Sequence, residues 1–261
     1  MTPASVGFQC PECVREGRAA ARSPRRAPLR SAGQQWGPVT LGLIAVNVIM
    51  FVVTAVANAL AGGNPLHNYD ARLWDDLAQR PRQVQAGEWW RVVTAAFEHV
   101  GLLHLALNML ALLIFGTELE RAMGRWRFLG LYVVSLLGGA LALQLFSDPR
   151  IPAAGASTAI YGLLGGMAVL LLAGRQSLRG VVTLLVINLM ISFLIPQVSW
   201  VGHLGGLVAG ALVTGVLVLT RRKPRLQAVA VVAFGVLVFA VTVAVPTVAV
   251  PALPSLPGLG F

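Results

Sequence analysis

Ser157, His203, His104 and Asn108 are the residues of this 261-residue chain whose types and spacing suit acyl transfer. A serine hydroxyl becomes a nucleophile when a neighbouring base takes its proton, and histidine is the usual base. Such a site also needs donors aimed at the oxyanion that develops during attack. His104 and Asn108, four residues apart, share one face of a helix, and the Ser157 amide would lie at the positive end of another. No Asp or Glu occurs within the apolar runs near Ser157 and His203, so the reading is a Ser157–His203 dyad, not a triad. Tyr161, four residues past Ser157, is placed one turn along to pack on the His203 ring. His99 reads as a wall or interface residue.

The elements that must position these residues are membrane helices. Hydrophobic residues make up 56% of the chain and charged residues 11%, against about 25% charged in soluble domains. Runs nearly free of charge, close to the ~20 residues that cross a bilayer, fall at about 39–61, 99–117, 128–147, 155–174, 180–196, 199–220 and 226–245. Pro196 divides the fifth from the sixth. The expectation is an all-α, polytopic membrane helix bundle with seven spans. The net charge of +10 would suggest nucleic-acid binding in a soluble domain, but its distribution follows the spans. With the N-terminus inside, fifteen of the twenty Lys and Arg residues fall on the cytoplasmic side, as the positive-inside rule requires. No nucleic-acid partner is expected.

With that orientation His99, His104, Ser157 and His203 all enter from the outer face, and Ser157 and His203 match in depth within about a turn. Gly162 and Gly166 on the fourth span, and Gly202, Gly206 and Gly210 on the sixth, recur at the four-residue spacing that lets membrane helices approach closely. Residues 62–98 form an outer segment with Trp74, Trp89 and Trp90 among charges, expected at headgroup level. Residues 1–38, rich in Arg and Pro, read as a loose cytoplasmic tail. Arg25-Arg26 ahead of an apolar run imitates a twin-arginine signal, but the run from Val39 is longer than a signal-peptide core. It is expected to be retained as the first helix.

A serine or histidine alone on a membrane helix is most often a packing residue; the combination is what carries weight. Gly155-Ala156-Ser157 with Tyr161-Gly162, Gly202-His203-Leu204-Gly205-Gly206 with Gly210, Trp90-Arg91, the series His99, His104, Asn108, and Glu120-Arg121 with Gly124 together resemble the rhomboid intramembrane serine proteases of bacteria, over about 39–220. The resemblance implies a six-helix rhomboid core, with 221–261 adding a seventh transmembrane helix and a Pro-rich tail (Pro246, Pro251, Pro254, Pro257). It implies Ser157 as nucleophile, His203 as base and then acid, and His104, Asn108 and the Ser157 amide as the oxyanion hole. Gly155, Tyr161 and His99 support them, the loop bearing Trp90-Arg91 braces the structure, and Glu120 belongs to a structural network. The fifth helix is implied to move aside for substrate. Thr158 departs from relatives with glycine after the nucleophile, setting a larger residue beside the oxyanion site.

The implied activity is endopeptidase cleavage of transmembrane segments in single-pass or polytopic membrane proteins near the outer leaflet, at the bacterial plasma membrane, without a cofactor. The alternative is a catalytically inactive rhomboid-like protein that binds membrane clients. Cys10 and Cys13 supply half of the four ligands of a structural zinc site. The pair is expected either to complete a zinc ribbon with ligands upstream, as in rhomboids that carry one, or to be a vestige; as given, the chain is expected to bind no stoichiometric zinc.

Overall fold

The structure, a computed structural model, describes residues 2–3, 8–10, 12, 36–69, 71–194 and 198–246. Two compact units divide at Gln35. In the first, Thr2–Pro3 (β1) pairs antiparallel with Phe8–Gln9 (β2). Cys13, the arginine-rich stretch and the Pro-rich tail from 247 onward lie outside the described residues, and with them the expectation for a Cys10–Cys13 site.

The second unit is helical. Its described elements are α1 (Pro38–Leu60), three short helices α2 (Arg72–Leu77), α3 (Pro81–Gln85) and α4 (Arg91–Thr94), then α5 (Leu102–Met123), α6 (Arg125–Phe146), α7 (Ser157–Ala173), α8 (Arg179–Leu194), α9 (Trp200–Leu219) and α10 (Pro224–Ala244). Among the described residues α1, α5, α6, α9 and α10 are long and apolar enough to cross a membrane, and α7 and α8 are shorter apolar helices. The seven spans expected from hydropathy thus correspond to seven helices, two of them shorter than a full span. Pro38, Pro81 and Pro224 sit in the first turn of their helices, where the missing N–H costs nothing. Ser199 caps α9 by accepting from the Gly202 amide at 3.3 Å, satisfying one of the amides a helix start leaves orphaned.

Two boundaries differ from expectation in ways that matter to the site. α5 starts at Leu102, not 99, because Gly101 is extended (φ −173°, ψ 167°) and bridges to His67; His99 therefore lies in the preceding loop. α5 also runs on to Met123 through a π-helical stretch, Leu112–Gly116. α7 starts at Ser157, not 155, since Gly155 has φ +130°, outside helical space. The nucleophile candidate is thus the first residue of its helix, whereas His203 is the fourth of α9.

The outer segment holds α2, α3 and α4, and Trp74 turns inward within it: it is 1% exposed, packed with Ala71 and Ala78 and 5.0 Å from the Tyr69 ring. Trp89 and Trp90 are exposed as expected. A tryptophan buried in a small satellite cluster cannot be told from an interfacial one by type alone.

α6 is the most buried of the long helices, and α7 and α9 pack against it and each other. A Cβ on Gly206 would run into the Thr158 carbonyl oxygen, and one on Gly210 into that of Gly162. The expected glycine pattern does bring α7 and α9 into backbone contact. Gly138 and Gly139 of α6 extend it, since a Cβ there would lie 3.0 Å from the Gly205 and Gly202 carbonyl oxygens respectively. α10 lies on α6, tied by the Arg127 Nε donating to Gln227 Oε1 at 2.8 Å.

Candidate active site

Ser157 enters the site from a loop that turns at Gly155. The amide of Gly155 donates to the Ala95 carbonyl at 2.8 Å, anchoring the loop to the segment ahead of α5. A side chain at Gly155 is excluded twice over, by its positive φ and because a Cβ would lie 2.8 Å from Cε1 and 3.0 Å from Nε2 of His104. The same Cβ position is 3.6 Å from Ser157 Oγ, so Gly155 lets the His104 ring come up beside the serine. As the first residue of α7, Ser157 presents its N–H among the amides with no intrahelical acceptor.

His203 faces Ser157 from α9. Its Nε2 is 2.8 Å from Ser157 Oγ, and its ring stacks on Tyr161 with centroids 4.0 Å apart and planes 11° from parallel. The stacking partner is the one expected from spacing. A further partner was not foreseen: Ser192 of α8 places Oγ 3.0 Å from His203 Nδ1 and donates to the Asn188 carbonyl at 2.9 Å. Tyr161 Oη also reaches Ser192 Oγ, at 3.4 Å. The only signal in the sequence was a serine four residues after an asparagine in an otherwise apolar run, and a helix apolar all round does not tell which face is inward.

His104 and Asn108 fall on the inward face of α5, as expected. Asn108 is buried and its Nδ2 donates to the His104 carbonyl at 2.9 Å; an amide nitrogen has a second proton to offer. His104 Nδ1 is buried without a hydrogen-bond partner, and its ring lies edge-on to that of His99 at 5.0 Å. His99 itself is fully buried. Thr158 does not crowd this side. Its side chain fills the space left by Gly139 and Gly202, where a Cβ would lie 2.9 and 3.1 Å from its Cγ2. The larger residue after Ser157 is accommodated between α6 and α9.

Glu98, in the loop ahead of α5, is buried with neither carboxylate oxygen hydrogen-bonded, and burial pushes its pKa up to about 8. With the folded value above the unfolded one, the folded state holds the extra proton between about pH 4.5 and 8. Stability is then full below that window and falls as pH rises through it. Glu98→Gln is expected to flatten this dependence and raise the melting temperature at pH 8 by several degrees, with little change at pH 4.5. Thermal unfolding in detergent at the two pH values checks it.

Two charged residues hold the frame. Arg91, 5% exposed, pairs through Nε with Glu88 at 2.6 Å and donates through Nη1 to the carbonyls of Asp75 and Ala78 at 2.5 and 2.9 Å, pinning α4 to the end of α2. Glu120 on α5 accepts from the Val39 and Thr40 amides at 3.1 and 2.8 Å and from Thr40 Oγ1 at 2.8 Å. A carboxylate there caps the positive end of α1. Among the described residues no cluster of three or more His, Cys, Asp or Glu side chains is arranged to hold a metal ion.

Helices of this length and apolarity, with polar side chains converging at one end of the bundle, define a multi-pass integral membrane protein. The family profile described as "Rhomboid domain" matches residues 86–220, and the chain belongs to the rhomboid family. It is 33% identical over 199 residues to Rhomboid protease GluP of Bacillus subtilis, covering 73% of this chain and 38% of that protein. It is 38% identical over 146 residues to RHOMBOID-like protein 5 of Arabidopsis thaliana, covering 53% and 47%. With Putative rhomboid protease YdcA of Bacillus subtilis it shares 28% over 183 residues, 68% of this chain and 87% of that one. The chain thus spans less than half the length of the first two.

Proposed function

We propose that the protein is an intramembrane serine endopeptidase that cleaves transmembrane segments of other membrane proteins. The observation that carries this reading is the 2.8 Å approach of His203 Nε2 to Ser157 Oγ at the head of α7. In the proposed reaction His203 takes the serine proton as Oγ attacks the peptide carbonyl, then gives that proton to the leaving amine. Water, deprotonated by the same nitrogen, next attacks the acyl-serine, and the proton returns to Ser157 as the ester breaks. The Ser157 amide, His104 and Asn108 are the proposed donors to the oxyanion. His104→Ala and Asn108→Ala are each expected to lose about 10- to 1,000-fold in kcat and to retain measurable cleavage, as removal of one oxyanion donor does.

The direct test is reconstitution in liposomes with a single-pass substrate and detection of two fragments on a gel. A folded protein that binds such a substrate without cutting it would place the chain with the non-proteolytic members instead. We further place the chain in a bacterial plasma membrane with its N-terminus cytoplasmic, its core at 39–220 and its added helix after 221, on the strength of the arginine distribution. In a Cys10→Ser, Cys13→Ser background, cysteines introduced at Asp75 or Asp148 are expected to react with impermeant maleimide on intact cells. Cysteines at Arg125, Gln176 or Arg222 are expected to react only after permeabilisation; labelling of Asp75 and Arg125 from the same side would refute the orientation.

A further inference from the structure

The dyad reading leaves the second nitrogen of His203 without an assigned partner, and the structure supplies one. A serine hydroxyl has one proton and two acceptor positions. At Ser192 the proton has one destination that can only accept, the Asn188 carbonyl at 2.9 Å. Its two lone pairs then meet His203 Nδ1 at 3.0 Å and Tyr161 Oη at 3.4 Å, and both of these must donate. Ser192 is 4% exposed, so no solvent exchange relaxes the arrangement.

We infer that Ser192 is the positioning residue of the base: by accepting from Nδ1–H it fixes the His203 tautomer whose bare Nε2 faces Ser157. The opposite tautomer would turn an N–H toward Ser157 Oγ at 2.8 Å and leave the serine with no base. Ser192 thereby takes the place that a carboxylate holds in a triad, orienting the imidazole and supporting the imidazolium that forms, but as a neutral hydroxyl whose own proton is tied to the helix backbone. The acceptor is carried on α8, which packs only sparsely on α7 and α9 and exposes Val182, Val186, Ile187 and Met190. A displacement of α8 therefore withdraws the acceptor from the base, and the site is fully armed only when that helix is seated.

The kinetic half of this inference rests on the protease reading; the tautomer half does not. The experiment uses full-length protein labelled with 15N-histidine in micelles, with the His203 resonances among the four histidines assigned by their loss in His203→Gln. Wild type and Ser192→Thr, whose hydroxyl keeps the bond to the carbonyl four residues back, are expected to carry the His203 proton on Nδ1. Ser192→Val, which has the shape of threonine without the hydroxyl, is expected to show both tautomers. In the cleavage assay Ser192→Val is expected to lose about 10- to 100-fold in kcat, the scale of a hydrogen bond to a group that becomes charged, with KM within about twofold because the bond strengthens only on the way to the transition state. Ser192→Thr is expected to recover most of that loss. A His203 proton on Nε2 in wild type, or a Val variant identical to wild type in tautomer and kcat, overturns the inference. If wild type cleaves nothing, the protease reading falls and the spectra still decide this one.

Discussion

Replacing Ser157 with alanine is expected to abolish cleavage, with activity down by at least about 10⁴-fold, while the melting temperature stays close to wild type. The serine contributes one side-chain hydrogen bond, to His203 Nε2, and a net bond of that kind is worth about 1 kcal/mol to stability. His203→Ala is expected to be as inactive. It also loses the stack on Tyr161 and leaves Ser192 with one acceptor position unfilled, so it should melt lower than Ser157→Ala. The double variant should be no worse than either single one, because nucleophile and base act as a unit. A fluorophosphonate probe checks the same point without a substrate: wild type labels, both variants do not. Retained cleavage by Ser157→Ala would sink the mechanism.

A single methyl on α9 is expected to do comparable damage by a different route. In most helices Gly→Ala helps, by about 1 kcal/mol. At Gly206 the added carbon would collide with the Thr158 carbonyl oxygen and lie 2.8 Å from its carbon. Backbone cannot rotate away as a side chain can, so α7 and α9 must separate. Gly206→Ala is expected to melt several degrees lower, as overpacking by one methyl costs about 1–3 kcal/mol, and to lose at least about 100-fold in activity. A displacement of about 1 Å between reacting groups accounts for a factor of that size. Gly215→Ala, on the same helix with no neighbour within 4 Å of the new carbon, is the control and is expected to match or exceed wild type in both respects.

The sequence showed the residues that meet better than it showed how they are presented. Hydropathy located the long helices to within about three residues, except for the far end of α5, which runs six residues past the expected 117, because lipid imposes a length and excludes charge. Glycine spacing showed which helices touch, since only small residues permit backbone contact. The short elements escaped. α2, α3 and α4 carry mixed polar residues, and α2 and α4 are held together by Arg91 and by the burial of Trp74, interactions between residues distant in sequence that no local pattern announces. The extended Gly101 and the positive φ of Gly155 moved two helix starts and put His99 in a loop. Ser192 escaped for a related reason: in a helix that is apolar on all sides, polarity does not mark the inward face, and only the packed structure shows that this serine, and not Asn188, turns its side chain to the histidine.

The carboxylate that caps α1 comes from a residue about eighty positions further along the chain. Translation proceeds at about 5–20 residues per second, so α1, which ends at Leu60, is complete for roughly 3–12 s before Glu120 exists. During that interval its first amides have no partner from the rest of the bundle, and α1 must wait in the bilayer or beside the insertion machinery. Its final seating belongs to the synthesis of α5 and not to its own, which makes the first helix made one of the later ones to be fastened.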